Sequence, residues 1–405
     1  VTGPGSAAGD ADGRSATGAT DAGADGRAPR PLPVLRAMID ALDRDILQIL
    51  VRRMALVNEV AAYKRAHGLK VRDVARERAV LADRGARADA LGLPREEVES
   101  LFRVLLRASR EQQSALRVEV PAGAAPRTVA VIGAEGAFGQ VLLRLFADLG
   151  HQVLAVDRGT TLRPREAAAT ADVTVLAVPI AVTEDVIADV GPVVPETSLL
   201  MDVTSLKVAP MRAMLAQCRG SVVGTHPMFG PSVHTLQGQR VVLCRGRGEA
   251  WFSWVAQTLA ARGLTVTEAS AEEHDRAMAV VQVLNHFQTQ VLGLTLSRLG
   301  VPVRDTRAYT SPSYLLELYV AARHFAQSPA LYGPIEMRNP DLPQVTAAFQ
   351  RAAADLAGIL EAGDQAAFDA VFESVRGYFG DFTAEALEQS RFLVDRIVEH
   401  EAGTG

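Results

Sequence analysis

The chain has 405 residues, so at about 150 residues per domain it holds two or three domains. Hydrophobic residues make up 48% and charged residues 22%, an ordinary globular balance, and a formal net charge of -5 gives no basic field for nucleic acid. Cys218 and Cys244, the two cysteines, form neither a CxxC pair nor a disulfide framework, which fits a reducing cytoplasm, and no run of about 18 apolar residues is present to cross a membrane.

Residues 1–32 are mostly Gly, Ala, Asp, Ser and Thr, without the apolar stretch of a signal peptide, and the expectation is a disordered tail. Residues 33–117 show no strand-like alternation and read as helices. Leu35, Ile39, Leu42, Ile46, Ile49, Leu56 and Val60 form one seam of a long helix, at a spacing that predicts burial. Arg53 falls on that seam, and Lys64, eleven residues on, comes within about 20° of it around the axis. A cation in an apolar seam needs a partner, either a helix carboxylate such as Asp45 or Glu59 or an anionic ligand. VRDVARER places Arg72, Asp73, Arg76, Glu77 and Arg78 at the start of a second helix. A later helix carries Leu101, Phe102 and Leu105, then polar Ser109 and Gln113 on the continuing face. Cations and amides converging on one helical interior suit a small dianion held without a metal.

Arg36, Arg53, Lys64, Asp73, Arg76, Glu77, Ser109 and Gln113 stand in the register of the AroQ-type chorismate mutases, which the segment Leu35 to Gln113 resembles without a gap. The resemblance implies a three-helix all-α domain that dimerises through interlocked helices and rearranges chorismate to prephenate. That pericyclic step uses no nucleophile and no proton transfer, so the protein holds the substrate and stabilises charge on the breaking ether oxygen. By resemblance, Arg36, Arg53 and Arg76 take the carboxylates, Lys64 and Gln113 donate to the ether oxygen, and Glu77 accepts from the ring hydroxyl. Asp73 and Ser109 complete the binding set, and the first arginine reaches into the partner's site.

Residues 118–126 (VEVPAGAAP) read as a linker. In residues 127–270 the runs TVAVIG, HQVLAVD, VTVLAVP, SLLMDV, SVVGTH and VVLC alternate with helical stretches, the pattern of a parallel α/β sheet. The first run leads into Gly133, Gly136 and Gly139, a turn that admits a pyrophosphate at a helix N-terminus. The second ends in Asp157, which suits the ribose hydroxyls of NAD and repels the extra phosphate of NADP. Ser205 and Lys207 follow the fourth run, and His226 ends the fifth in THPMFGP, where it is either a structural turn histidine or a group aimed into the crevice. Residues 271–400 turn helical, broken by prolines, and carry His274 in EEHD, His286 in VLNHF, and Arg323 and Tyr332 further on. An Arg inside an otherwise apolar helix asks for an anion.

VPIAVTE, HPMFGP, EEHD, LELYVAAR, FAQSP, LY and YFGDF occur in the order found in the prephenate dehydrogenase family, which the chain resembles from about Thr128 to at least Asp381. With the mutase segment in front, the chain is similar to the bifunctional T-protein family. The resemblance implies a Rossmann domain, then a helical substrate and dimerisation domain, in a cytoplasmic homodimer of tyrosine biosynthesis. It implies that His226 accepts the proton of prephenate's ring hydroxyl in its ordinary titration range near pH 7 while hydride passes to NAD and the ring carboxyl leaves as CO2. Arg323 would hold a carboxylate, Ser205, Lys207, His274 and Tyr332 would line or back the substrate, and His286 matches a position linked to feedback by tyrosine.

Two departures stand out. Leu315 replaces an Arg common after the Tyr of SPxY, and Ser232, Val233 and His234 follow HPMFGP where DSG is common. They keep arogenate or a 4-amino-4-deoxy analogue open as the substrate. A regulatory protein that senses an aromatic acid through a degenerate mutase domain is the alternative of another class, and the full set of mutase residues argues against it.

Overall fold

The computed structural model describes residues 30–67, 69, 71, 73–116, 126–233 and 235–404, so most of the expected tail, Arg72, nearly all of the expected linker and His234 lie outside the described residues. The chain divides into two units, one ending at Val57 and one beginning at Asn58. The first unit holds most of helix α1 (Leu32–Ala66). Its seam residues Leu35, Ile39, Leu42, Ile46 and Ile49 are exposed by between 39% and 62%, so one chain alone does not bury the expected seam. A short helical segment has too little interior to cover a stripe of this length, and an apolar stripe left open marks an association surface.

In the second unit, α2 (Val74–Ala90) starts at Asp73, whose carboxylate accepts from the Arg76 amide at 2.9 Å. α3 (Arg95–Leu116) opens with Glu96 and Glu97, which favour the positive end of its dipole, and packs on α2. Ser109 and Gln113 are buried on α3.

The α/β part runs β1 (Thr128–Ile132), α4 (Ala137–Asp148), β2 (Gln152–Val156), α5 (Pro164–Thr170), β3 (Val173–Leu176), α6 (Ile180–Val190), β4 (Leu199–Asp202), α7 (Val208–Gln217), β5 (Ser221–Pro227), β6 (Arg240–Arg247), α8 (Glu249–Ala261) and β7 (Thr265–Ala269). The sheet order is β2-β1-β3-β4-β5-β6-β7. Alternate residues of β1 serve the two faces: Val129 and Val131 join one buried cluster with Leu142 and Phe146, Ala130 and Ile132 the other with Ile187 and Met214. The strands from β2 to β5 are parallel as the sequence predicts, but β6 pairs antiparallel to β5, and β7, outside the apolar runs, extends the edge parallel to β6. β2 and β3 flank β1 on opposite sides, which makes its carboxyl end the topological switch point where a ligand crevice forms.

The helical remainder starts with α9 (Ala271–Met278), set by a capping box in which Ser270 and Glu273 each accept from the other's backbone amide. A π-helical turn, Ala279–Leu284, joins α9 to α10 (Asn285–Leu299). α11 (Val303–Arg307), α12 (Pro312–Phe325), α13 (Pro329–Met337), α14 (Leu342–Ala362), α15 (Gln365–Phe379) and α16 (Phe382–Thr404) follow. Pro312 and Pro329 open helices, where a missing amide costs nothing. The architecture is thus an all-α N-terminal segment, a Rossmann-type α/β layer and a helical C-terminal part, the expected class.

Candidate active sites

The loop after β1 is built for close approach. Gly133 has φ +94°, and a Cβ there would lie 2.3 Å from the Ala177 carbonyl oxygen. A Cβ on Gly139 would lie 2.2 Å from the Gly133 oxygen. Gly136 caps α4 with no side-chain bond, leaving the first-turn amides to a ligand. Asp157, past the end of β2, accepts from the Glu135 amide at 2.9 Å and the Arg158 amide at 2.8 Å, so its carboxylate is held against this loop. The arrangement fits a dinucleotide pyrophosphate with a ribose beyond it.

On the same edge of the sheet, His226 is the penultimate residue of β5 and is 3% exposed. Its Nδ1 lies 2.8 Å from His274 Nε2, and His274 Nδ1 lies 2.7 Å from Asp275 Oδ1. Asp275 also accepts from the Lys207 and Val208 amides at 2.8 and 2.9 Å. Burial pushes the Asp275 carboxyl up, but the hydrogen bonds from His274 and these two amides outweigh it and hold it below its usual range. An ionised Asp275 sets the tautomers in turn: His274 carries its proton on Nδ1, its Nε2 accepts from His226 Nδ1, and the lone pair of His226 is left on Nε2. That nitrogen faces Gln282, whose Nε2 is 3.3 Å away and whose buried Oε1 has no hydrogen bond. Burial, then the charges of His274 and Lys207, hold His226 well below its ordinary range. The expectation that it titrates near pH 7 is therefore corrected downward.

Lys207 was expected to line or to back the substrate. Its ammonium is fully buried, paired with Asp202 and donating to the Thr225 carbonyl oxygen at 2.7 Å, which fits the backing role. Ser205 is half-buried in the loop after β4. Arg323 is exposed on α12, so the argument from a buried arginine does not apply in one chain.

His286 and Tyr332 do come together. Their rings are 4.8 Å apart, and His324 stacks on Tyr332 at 3.9 Å. Gln290 Nε2 donates to Glu336 Oε1 at 2.8 Å and lies 3.1 Å from His324 Nε2. Gln282, Gln290, His324 and Glu336 were not singled out from the sequence. Their one legible signal is a polar residue inside an otherwise apolar helical run, and their meeting depends on how α10, α12 and α13 pack.

In the mutase segment, Arg36 is exposed and Arg53 half-buried on the first unit. In the second, Lys64 donates to the Val71 carbonyl oxygen at 2.6 Å, and Asp73 serves as the α2 cap. Arg76 is exposed. Glu77 pairs with Arg110 at 2.6 Å, a cation one position beyond Ser109 that the motif reading passed over. Ser109 donates to the Leu105 carbonyl oxygen at 2.6 Å. Gln113 Oε1 is buried without a hydrogen bond, so α3 keeps an unused acceptor at its inner face.

Family comparisons agree with both halves. Residues 35–114 match chorismate mutase type II, residues 144–268 the prephenate dehydrogenase nucleotide-binding domain, and residues 270–374 the prephenate dehydrogenase dimerization domain. The T-protein of Enterobacter agglomerans is 36% identical over 366 residues, 90% of this chain and 97% of that protein. That of Haemophilus influenzae is 31% identical, over 91% of this chain and 98% of its own length. A prephenate dehydrogenase from A. aeolicus, in complex with hydroxyphenyl propionate and NAD+, shares the fold with a TM-score of 0.52 at 16% identity, covering 66% of this chain and 99% of that one. The chain belongs to the T-protein family, in which a type II chorismate mutase and an NAD-dependent prephenate dehydrogenase share one polypeptide.

Proposed function

We propose that this chain carries out both steps, with the mutase in residues 33–117, the dinucleotide in residues 127–270 and the dehydrogenase substrate held by residues 271–400. In the first step, Arg36, Arg53 and Arg76 hold the chorismate carboxylates. Lys64 and Gln113 Nε2 donate to the ether oxygen as charge builds on it, and Glu77, fixed by Arg110, accepts from the ring hydroxyl. Asp73 holds the start of α2 in place, and Ser109 shapes the inner face of α3.

In the second step, Gly133, Gly136, Gly139 and the first turn of α4 hold the pyrophosphate, and Asp157 holds the ribose. NAD held there would supply the acceptor for the hydride that leaves the ring carbon bearing the hydroxyl. His226 Nε2 accepts the hydroxyl proton as that carbon becomes carbonyl-like, and returns it to the oxygen when the ring carboxylate leaves as CO2 and the ring becomes aromatic. The product is 4-hydroxyphenylpyruvate. Gln282, which meets Nε2, yields that nitrogen to the substrate and offers its orphaned oxygen as a further acceptor. Arg323 and Tyr332 take the far end of the substrate, Ser205 lines the mouth, and Lys207 and His274 act from behind. His286 contributes to inhibition by tyrosine. The single observation that carries the reading is the buried Asp275–His274–His226 chain, which leaves the Nε2 lone pair of His226 outside the chain, beside Gln282.

The exposed seam of α1 and the match to a dimerization domain support a homodimer. Cys218 and Cys244 are buried free thiols, Cys244 pushed up to about 12 by burial, and this suits a cytoplasmic enzyme. No helix among the described residues is long and apolar enough to cross a membrane. Purified protein given chorismate and NAD should form NADH and 4-hydroxyphenylpyruvate together. Prephenate accumulating without NADH would sink the second half of the reading.

A further inference from the structure

We infer that Glu336 is the recognition point for an ammonium group, the α-amino group of a ligand whose ring hydroxyl is held by His226. The inference rests on the reading of His226 as the dehydrogenase centre. It starts from one helical line. Gln282 meets His226 Nε2, and His286 and Gln290 follow it at steps of four residues. At about 5.4 Å per turn, that line reaches from the hydroxyl end to the opposite end of a six-membered ring and its side chain. Glu336 stands there, 2.8 Å from Gln290 Nε2 and 3.5 Å from His286 Nδ1.

The carboxylate is under-used. It is 9% exposed and takes one short hydrogen bond, from a neutral amide, although an ionised carboxylate offers about four acceptor sites. His286 Nδ1 is itself buried without a hydrogen bond, since 3.5 Å is beyond a normal one. His324 supplies no cation, because burial and then the charge of His286 hold it below its ordinary range. Burial holds the Tyr332 phenol up and so neutral, while the charge of Arg323 pulls it down and that of Glu336 pushes it up. Arg323 and Glu336 therefore present opposite charges around Tyr332, the pattern that a zwitterionic amino-acid head would satisfy, with its carboxylate to Arg323 and its ammonium to Glu336. A buried carboxylate without a full partner is costly, and an ammonium removes that cost. The keto side chain of prephenate has no donor to give Glu336. Tyrosine and arogenate both have one.

The test compares ligands that differ only in the ammonium. Calorimetric titration of the full-length protein with NAD present would use L-tyrosine and 3-(4-hydroxyphenyl)propionate. Glu336→Gln should weaken tyrosine binding by at least about tenfold, the loss typical of one charged hydrogen bond, and leave the propionate unchanged. Glu336→Asp keeps the charge and should show a smaller loss with the same selectivity, and it serves as the test if the Gln variant does not fold. Equal losses for both ligands, or no loss for tyrosine, would overturn the inference and leave Glu336 as an internal partner of His286. Steady-state rates with arogenate and prephenate separate the two sources of the ammonium. A parallel fall in the arogenate-to-prephenate ratio assigns the subsite to substrate, and an unchanged ratio assigns it to inhibitor. Binding does not depend on turnover, so failure of the His226 reading would leave this result standing by itself.

Discussion

Lys207 offers a sharp test because the structure narrows two roles that the sequence leaves open. Its ammonium and the Asp202 carboxylate are both fully buried and paired, and the same ammonium donates to the Thr225 carbonyl oxygen on the strand that carries His226. Lys207→Met removes the cation and leaves Asp202 charged in the core. Breaking a buried pair from one side costs about 3–5 kcal/mol. For a unit of 150–250 residues, about 2–4 °C per kcal/mol gives a fall in Tm of roughly 6–20 °C. Adding Asp202→Asn should recover much of that loss, since the orphaned charge goes with it. Kinetics measured well below the new Tm should show a KM for prephenate close to wild type. Because the charge of Lys207 helps to hold His226 down, the acid limb of the dehydrogenase should move up toward pH 6.5. A normal Tm with a KM raised by tenfold or more would refute the reasoning and return Lys207 to the substrate.

Gly133→Ala should abolish NAD binding and dehydrogenase activity, because its Cβ would meet the Ala177 carbonyl oxygen at 2.3 Å in a backbone conformation that disfavours any side chain, and mutase activity should survive. Asp157→Ala should narrow the preference for NAD over NADP, read as the ratio of kcat/KM values, and a wild type equally efficient with both would remove the basis for this. Arg53→Ala should cost most of the mutase activity, at about 1.5–3 kcal/mol for a charged contact, while prephenate oxidation continues. Loss of both activities in a folded variant would count against separate sites.

How much of this was legible in the sequence follows from what each residue depends on. β1 and its glycine loop were readable because strand period, φ requirement and helix onset lie within a dozen residues. β7 was not, since TVTEA is a half-exposed edge strand with no apolar run to mark it. His226 and His274 were both visible as motif histidines, but their 2.8 Å contact spans 48 residues and no spacing rule predicts it. Lys207 was legible only as a residue that lines or backs the substrate, because the choice between the two depends on Asp202 turning inward with it. Gln282 was missed because its direction is set by a π-helical turn, and such a turn is fixed by the packing of α13 and α14 around it. The α1 seam was legible as a surface, but a single chain does not show what covers it.

The pH profile of kcat/KM for prephenate, measured with wild type and His226→Asn, tests the role of His226 most directly. Neutral His226 is the active form, so activity is present above its pKa and falls as pH drops through it. Burial, His274 and Lys207 place that pKa well below the ordinary 6.5, so wild type should hold a plateau from about pH 6.5 upward on the acid side, with its acid limb lower. His226→Asn should lose about 10²–10⁴-fold in turnover, lose the acid limb altogether and keep its affinity for NAD and its mutase rate. Near-wild-type turnover in the variant, or a wild-type acid limb centred at pH 6.5 or above, would contradict the claim that a buried, tautomer-fixed His226 is the base.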